Sequence, residues 1–170
     1  YMESFERARE EHLKKPTHVC RLNITERKFA ELPPLRLDHL QRMTDDTGML
    51  QHAIFNVPNY KEGYCTDDNA RALILTCLDG TIDAAERERW MTVYAAFVGH
   101  AWNPETRRFR NHLSFDRRWL DPRGSEDCHG RALCALGVAA GRSPHRSLRV
   151  LAGQLFVQGL QVVTDFTSPR

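Results

Sequence analysis

Two stretches of this chain, sixty residues apart, open in the same way. Cys65-Thr66-Asp67-Asp68-Asn69-Ala70-Arg71-Ala72-Leu73 lies over Ser125-Glu126-Asp127-Cys128-His129-Gly130-Arg131-Ala132-Leu133. Asp67 matches Asp127, Arg71 matches Arg131, and Ala-Leu follows in both copies. Each copy sets acids just ahead of an apolar, helix-prone run, which is how helices begin. A polar loop precedes each copy and a second helical pattern follows it, so one copy with its return helix makes an αα-hairpin. Such hairpins bury their inner faces only by stacking on one another. The expected fold class is therefore all-α, an array of helical hairpins. The sixty-residue spacing exceeds that of common solenoids, and a long loop at 103–123 accounts for the excess. Small residues at equivalent places, Ala70 and Gly130, predict close helix approach.

Periodicity and breakers place the remaining elements. Residues 1–15 read as a charged helix stopped by Pro16, and 17–36 as irregular, with an optional short strand at 19–22 and a rigid break at Pro33-Pro34. The domain reading is thus an N-terminal helix and linker at 1–34 and a helical body at 35–170. Leu37, Leu40 and Met43 predict a helix over about 35–44, and 49–63 reads as loop with a turn at Pro58-Asn59. Thr66 is the expected N-cap of the next helix, which Asp79-Gly80 closes. A longer helix follows over about 83–101, with Trp90, Val93, Tyr94 and Phe97 on one stripe; Trp90 and Trp102 are assigned to the core. Residues 103–123 form an extended loop or small β-hairpin expected to project from the helical body. Ser125 caps a helix over 126–140 that Gly141 ends. The last helix covers about 144–163, with Leu148, Leu151, Leu155 and Val162 inward. Ser168-Pro169 reads as the opening of a further helix.

Composition narrows the function classes. Apolar residues make up 41% of the chain and charged residues 27%, which suits a folded soluble domain. No run approaches the roughly 18 apolar residues of a membrane helix. The charged N-terminus lacks the apolar stretch of a signal peptide and does not begin with Met, so the chain reads as part of a longer protein. Acids interrupt its arginines, and no nucleic-acid-binding face is expected at a net charge of +2. Five cysteines without a C-x-x-C pair read as reduced thiols in a cytoplasmic protein. Cys128-His129 beside Asp127 lacks the second pair that would complete a metal site, so neither metal nor cofactor is expected.

Three blocks carry a resemblance: Leu37 to Leu40 through Thr44-Asp45-Asp46-Thr47-Gly48-Met49-Leu50-Gln51-His52-Ala53, then Gly63 to Leu73, then Gly124 to Leu133. Together they look like a bacterial domain often joined to a glycosyltransferase, which in turn resembles the six-hairpin (α/α)6 toroids of glycosidases and sugar epimerases. The resemblance covers about residues 35–170. It implies that this chain supplies the N-terminal half of a toroid, and that a glycosyltransferase domain or a second chain completes it. It further implies a carbohydrate-active domain, glycoside hydrolase-like, acting on a sugar or oligosaccharide. The alternative is a non-catalytic module that binds glycan or scaffolds the transferase.

Glycoside hydrolysis uses two carboxyl groups, about 5–5.5 Å apart for retention and about 6.5–9.5 Å for inversion. The catalytic candidates are Asp46, Asp68 and Asp127. A helix start favours negative charge, so Asp68 and Asp127 suit a base or hydroxyl acceptor, and Asp45 or Asp46 in the preceding loop suits the acid. The substrate-binding candidates are Asp45, His52, Tyr64, Asp67, Asn69, Trp119, Glu126 and His129. His52 and His129 would carry protons in an epimerase, and Tyr60, Tyr64, Phe115 and Trp119 would stack on pyranose rings. The competing structural reading assigns Asp67 and Asp127 to their helix dipoles and to ion pairs with Arg71 and Arg131, each four residues on.

Overall fold

The computed structural model describes residues 35–168. The expected N-terminal helix at 1–15, the strand at 19–22, the Pro33-Pro34 break and the helix opening at Pro169 lie outside the described residues. The rest is mostly helical, with a few two-stranded antiparallel ladders. In chain order come α1 (Asp38–Met43), β1 (Ala53–Ile54), β2 (Val57–Pro58), a 3-10 turn (Tyr60–Glu62), β3 (Tyr64–Cys65), α2 (Thr66–Leu78) and α3 (Ala84–Ala101). After these come β4 (Trp102–Asn103), β5 (Arg108–Phe109), β6 (His112–Leu113), α4 (Glu126–Arg142), α5 (Arg146–Leu160) and a second 3-10 turn (Val163–Asp165).

The two expected hairpins are present. Short connections reverse the chain between α2 and α3 and between α4 and α5, and α2 packs on both α3 and α4 while α4 packs on α5. Leu73, Trp90, Met91, Tyr94, Phe109 and Leu136 fill the space between them. Fully burying a side chain of this size stabilises the fold by about 1.5–3 kcal/mol. Antiparallel hairpins set level bring the starts of α2 and α4 and the ends of α3 and α5 to one end of the body. Hydrogen bonds confirm that end: Thr66 N donates to Asn111 O, Arg110 N to Ala101 O, and the His129 ring meets Gly159 O.

Several local expectations change. The first helix is shorter than 35–44, and 49–63 holds the β1–β2 hairpin and a 3-10 turn rather than plain loop. Thr66 is not the cap of α2: Cys65 takes that place without a side-chain bond, and the Thr66 hydroxyl is buried with no partner among the described residues. Residues 103–123 do pair as strands but do not project. β4 pairs with β5, and β6 crosses back to β3. Phe109 and Leu113 on these strands are fully buried, so the segment lies across the end of the body as a lid on the core. α4 continues through Gly141 to Arg142, because Ser143 supplies its end. The last helix spans Arg146–Leu160 rather than 144–163. Leu151 is 44% exposed rather than inward, whereas Leu155 is buried as expected and shares its face with Ala152 and Gly159. Ala70 is buried as expected, whereas its counterpart Gly130 faces open space and Ala132 makes the close approach.

One buried amide pins the loop before α2. Asn69 donates to Met49 O (3.1 Å) and Cys65 O (2.9 Å) and accepts from Met49 N (2.8 Å). Gly48 lies against it: a Cβ there would stand 2.5 Å from Asn69 Oδ1 and 2.8 Å from the Phe97 ring. Truncating Asn69 orphans buried backbone groups, each worth about 1–3 kcal/mol when left unpaired. Asn69→Ala should therefore lower the unfolding free energy by about 2–3 kcal/mol in urea titrations without changing the denaturant slope.

Candidate functional site

The two copies of the repeat meet through their charged side chains. Within α2, Arg71 Nη2 bonds Asp67 Oδ2 at 3.0 Å and Asp68 Oδ1 at 2.6 Å. Within α4, Arg131 Nε bonds Asp127 Oδ2 at 3.0 Å. The same Arg131 Nε lies 3.1 Å from Asp67 Oδ1, at ion-pair distance but without hydrogen-bond alignment. One guanidinium therefore bridges acids of neighbouring helix starts, and a single nitrogen within reach of both holds their oxygens no more than about 6 Å apart. Burial pushes the Asp67 carboxyl above the ordinary range, while Arg71 and Arg131 pull it back. Hydrogen bonding to Asp127 first, and then the charge of Asp67, hold Arg131 more firmly protonated still.

Loops stitch the two helix starts together from behind. Asp121 accepts the Asn111 and His112 amides at 2.7 and 2.8 Å. Asn111 Oδ1 in turn accepts from Ser125 N, while its carbonyl takes the Thr66 amide. Ser125 caps α4 as expected, accepting from Cys128 N at 3.1 Å. Asp121 and Asn111 are not among the sequence candidates, because their partners are backbone groups that only the fold brings near. Arg71 and Arg131 were visible as matched positions, but nothing in the sequence shows that Arg131 crosses to the other copy.

The remaining predicted residues divide. Asp45 is a turn-former: its Oδ1 accepts from Thr47 N and Gly48 N, and its Oδ2 accepts from the Tyr64 hydroxyl at 2.6 Å. Tyr64 is buried, so it is not a surface stacking ring; burial first, then its bond to Asp45, pushes its hydroxyl up to about 12. Asn69 is the buried brace described above, with each amide atom engaged by backbone. Glu126 accepts the Thr167 and Ser168 amides at 3.1 and 2.6 Å. Asp46 stands outside the Asp67–Asp127 network, with a side chain 87% exposed and 3.3 Å from Arg89. His52 is exposed beside the β1–β2 hairpin. Trp119 is half-buried, donating to His100 Nε2 at 3.1 Å and meeting the Phe97 ring edge-on. Tyr60 and Phe115 are exposed and stack on each other at 4.5 Å.

His129 is fully buried, and both ring nitrogens are engaged. Phe109 N donates to Nδ1 at 3.3 Å, which leaves Nε2 to donate to Gly159 O at 2.9 Å. Burial lowers its proton affinity below the ordinary 6.5. The ring thus ties α4 to β5 and to the end of α5, and offers no free nitrogen to a substrate. Nearby, the buried Arg108 donates to Gly124 O and lies 4.5 Å over the Phe166 ring, with burial lowering its proton affinity. Among the described residues no group of three or more His, Cys, Asp or Glu side chains is placed to hold a metal ion, and no helix is long and apolar enough to cross a membrane.

Folding holds His129 neutral, whereas the unfolded chain protonates it as pH falls through 6.5. Its contribution is therefore complete at neutral pH and is lost on acidification below 6.5. Asp67 acts in the opposite sense, but only in the carboxylate range. The thermal midpoint should fall between pH 7 and pH 5, and His129→Gln should show a lower midpoint at pH 7 with a flatter dependence over that interval. No family model, curated protein or solved structure matches this chain.

Proposed function

We propose that this chain is part of a carbohydrate-active domain, and that the joined starts of α2 and α4 form its sugar-facing end. The observation that carries this reading is the single network of Asp67, Asp68 and Asp127 with Arg71 and Arg131. A sugar hydroxyl both donates and accepts. Carboxylates alternating with guanidinium groups offer adjacent acceptors and donors, a pattern suited to neighbouring hydroxyls on one ring. In a hydrolytic version, Asp67 is the group that burial prepares to hold a proton, and Asp127, with a side chain 40% exposed, is the open carboxylate for base or nucleophile. This moves the acid from Asp45 and Asp46, which are committed to a turn and to Arg89.

A non-catalytic glycan-binding or scaffolding module is the second reading, and the Arg131 bridge favours it. A guanidinium in contact with both acids stabilises their charged forms, which suits hydroxyl recognition better than proton delivery. Under either reading the array continues as a toroid. Val150, Leu151, Val157 and Leu160 stand exposed on α5 among Arg146, Gln154 and Gln158, apolar side chains that further hairpins or a second chain would cover. A glycosyltransferase domain remains the proposed partner of the complete protein.

The two readings separate on Asp67→Asn and Asp127→Asn in the protein carrying the complete domain. Catalysis predicts that glycan turnover falls at least 100-fold in each, with binding retained and the melting temperature shifted by no more than about 4 °C. A binding module predicts no turnover in the parent and loss of glycan affinity in both variants. Unchanged glycan turnover and affinity in both variants would reject the site.

A further inference from the structure

The charged side chains that meet at the starts of α2 and α4 do not by themselves set the spacing of those starts. Asp67, Asp127 and Arg131 are 22%, 40% and 43% exposed. Ion pairs open to solvent are weak and mobile, and they hold two helices in register poorly. The firmer contacts lie behind them, in residues 110–112, which cross from one helix start to the other. On the α4 side the Cys128 thiol lies 3.7 Å from Arg110 O, and on the α2 side His112 pairs with Cys65.

Asn111, between them, serves both helices at once. Its carbonyl accepts the amide of Thr66, the first residue of α2, at 2.8 Å. Its Oδ1 accepts from Ser125, the cap of α4, through N at 3.0 Å and Oγ at 3.3 Å. Its own amide donates to Asp121 Oδ2 at 2.7 Å, so the residue is anchored as well as bridging. Thr66 stands one residue before Asp67, and Ser125 two before Asp127. Fixing both on one residue therefore fixes the offset between the two carboxylates. Gly124 makes room for the bridge: a Cβ there would lie 2.8 Å from Asn111 Oδ1 and 2.2 Å from Phe109 O.

We infer that Asn111 is the positioning residue of the proposed site, setting how far apart Asp67 and Asp127 stand. Its role at a sugar rests on the carbohydrate reading; its hold on the two helix starts rests on the hydrogen bonds alone. Asn111 need touch no ligand. It acts through Thr66 and Ser125, and an asparagine serves because its side-chain oxygen accepts where a second backbone carbonyl would be needed.

The test measures, in the whole chain, the coupling between Asp67→Asn and Arg131→Gln in three backgrounds. Coupling should be present with Asn111, lost with Asn111→Ala, and retained with Asn111→Asp, which keeps the acceptor. An asparagine that only adds stability would lower the unfolding midpoint and leave the coupling unchanged, and that result would overturn the inference. Absence of coupling in the parent, or equal loss in Asn111→Ala and Asn111→Asp, would overturn it too. If Asn111→Ala does not fold, Asp121→Asn replaces it, setting an amide donor against one of the two backbone N–H groups. That variant should weaken the coupling, and an unchanged coupling would again contradict the role. In the protein carrying the complete domain, Asn111→Ala should weaken glycan binding or turnover at least tenfold, and Asn111→Asp should restore it. A glycan response that depends on Asp67 and Asp127 but not on Asn111 would overturn the positioning role while the carbohydrate reading stood. A response indifferent to Asp67→Asn and Asp127→Asn would instead reject the sugar-facing site, and the coupling alone would then decide whether Asn111 sets the spacing.

Discussion

The Arg131 guanidinium lies between Asp67 and Asp127, and most of this molecule's organisation follows from keeping the starts of α2 and α4 level enough for that contact. Two helix starts side by side concentrate partial positive charge and unpaired backbone amides at one place. First-turn acids answer the helix dipoles, and an arginine between the acids relieves the repulsion that follows. Once the starts are level, the antiparallel return helices must end at the same place, and every long loop has to run across that end. The short ladders β4–β5 and β3–β6 are what such loops become when their backbone groups must find partners over a buried core.

Residues that look alike in the sequence are used differently at this end. Asp45, Asn69 and His129 carry chemistry-bearing groups, yet each has its polar atoms taken by backbone or by Tyr64, and Glu126 gives one oxygen to the Thr167 and Ser168 amides. Their work is to fix loops against helices. Asp67, Asp68 and Asp127 instead bond side chains of arginine, which can reorient toward a ligand. Asp46 stands apart from both groups, largely exposed and paired with Arg89. Chemistry at this end therefore belongs to the groups that the architecture has not already consumed.

Much of the helical plan was legible because its signals are local. The repeat fixed both hairpins, Ser125 and Asp79 marked real helix boundaries, and the stripe through Trp90, Tyr94 and Phe97 is buried. What was not legible depends on partners far along the chain. The β3–β6 pairing joins two-residue strands nearly fifty positions apart, too short for any alternation to show. The cap of α2 was misread because Thr66 has the right chemistry, while the Asn111 carbonyl already takes its amide. Leu151 was placed inward from spacing alone, which cannot tell a buried stripe from one exposed at the edge of an array. The acids of the site were legible as a pair of matched positions. That they share one arginine was not, since a pairwise match carries no information on rotamers.

The most direct check is a double-mutant cycle on unfolding free energy with Asp67→Asn, Arg131→Gln and the pair together. If the helix starts are joined as described, the double variant should lose less stability than the two single losses combined, and the difference should shrink in high salt. Strict additivity at low salt would mean that α2 and α4 do not meet through these side chains, and the shared sugar-facing end would go with them.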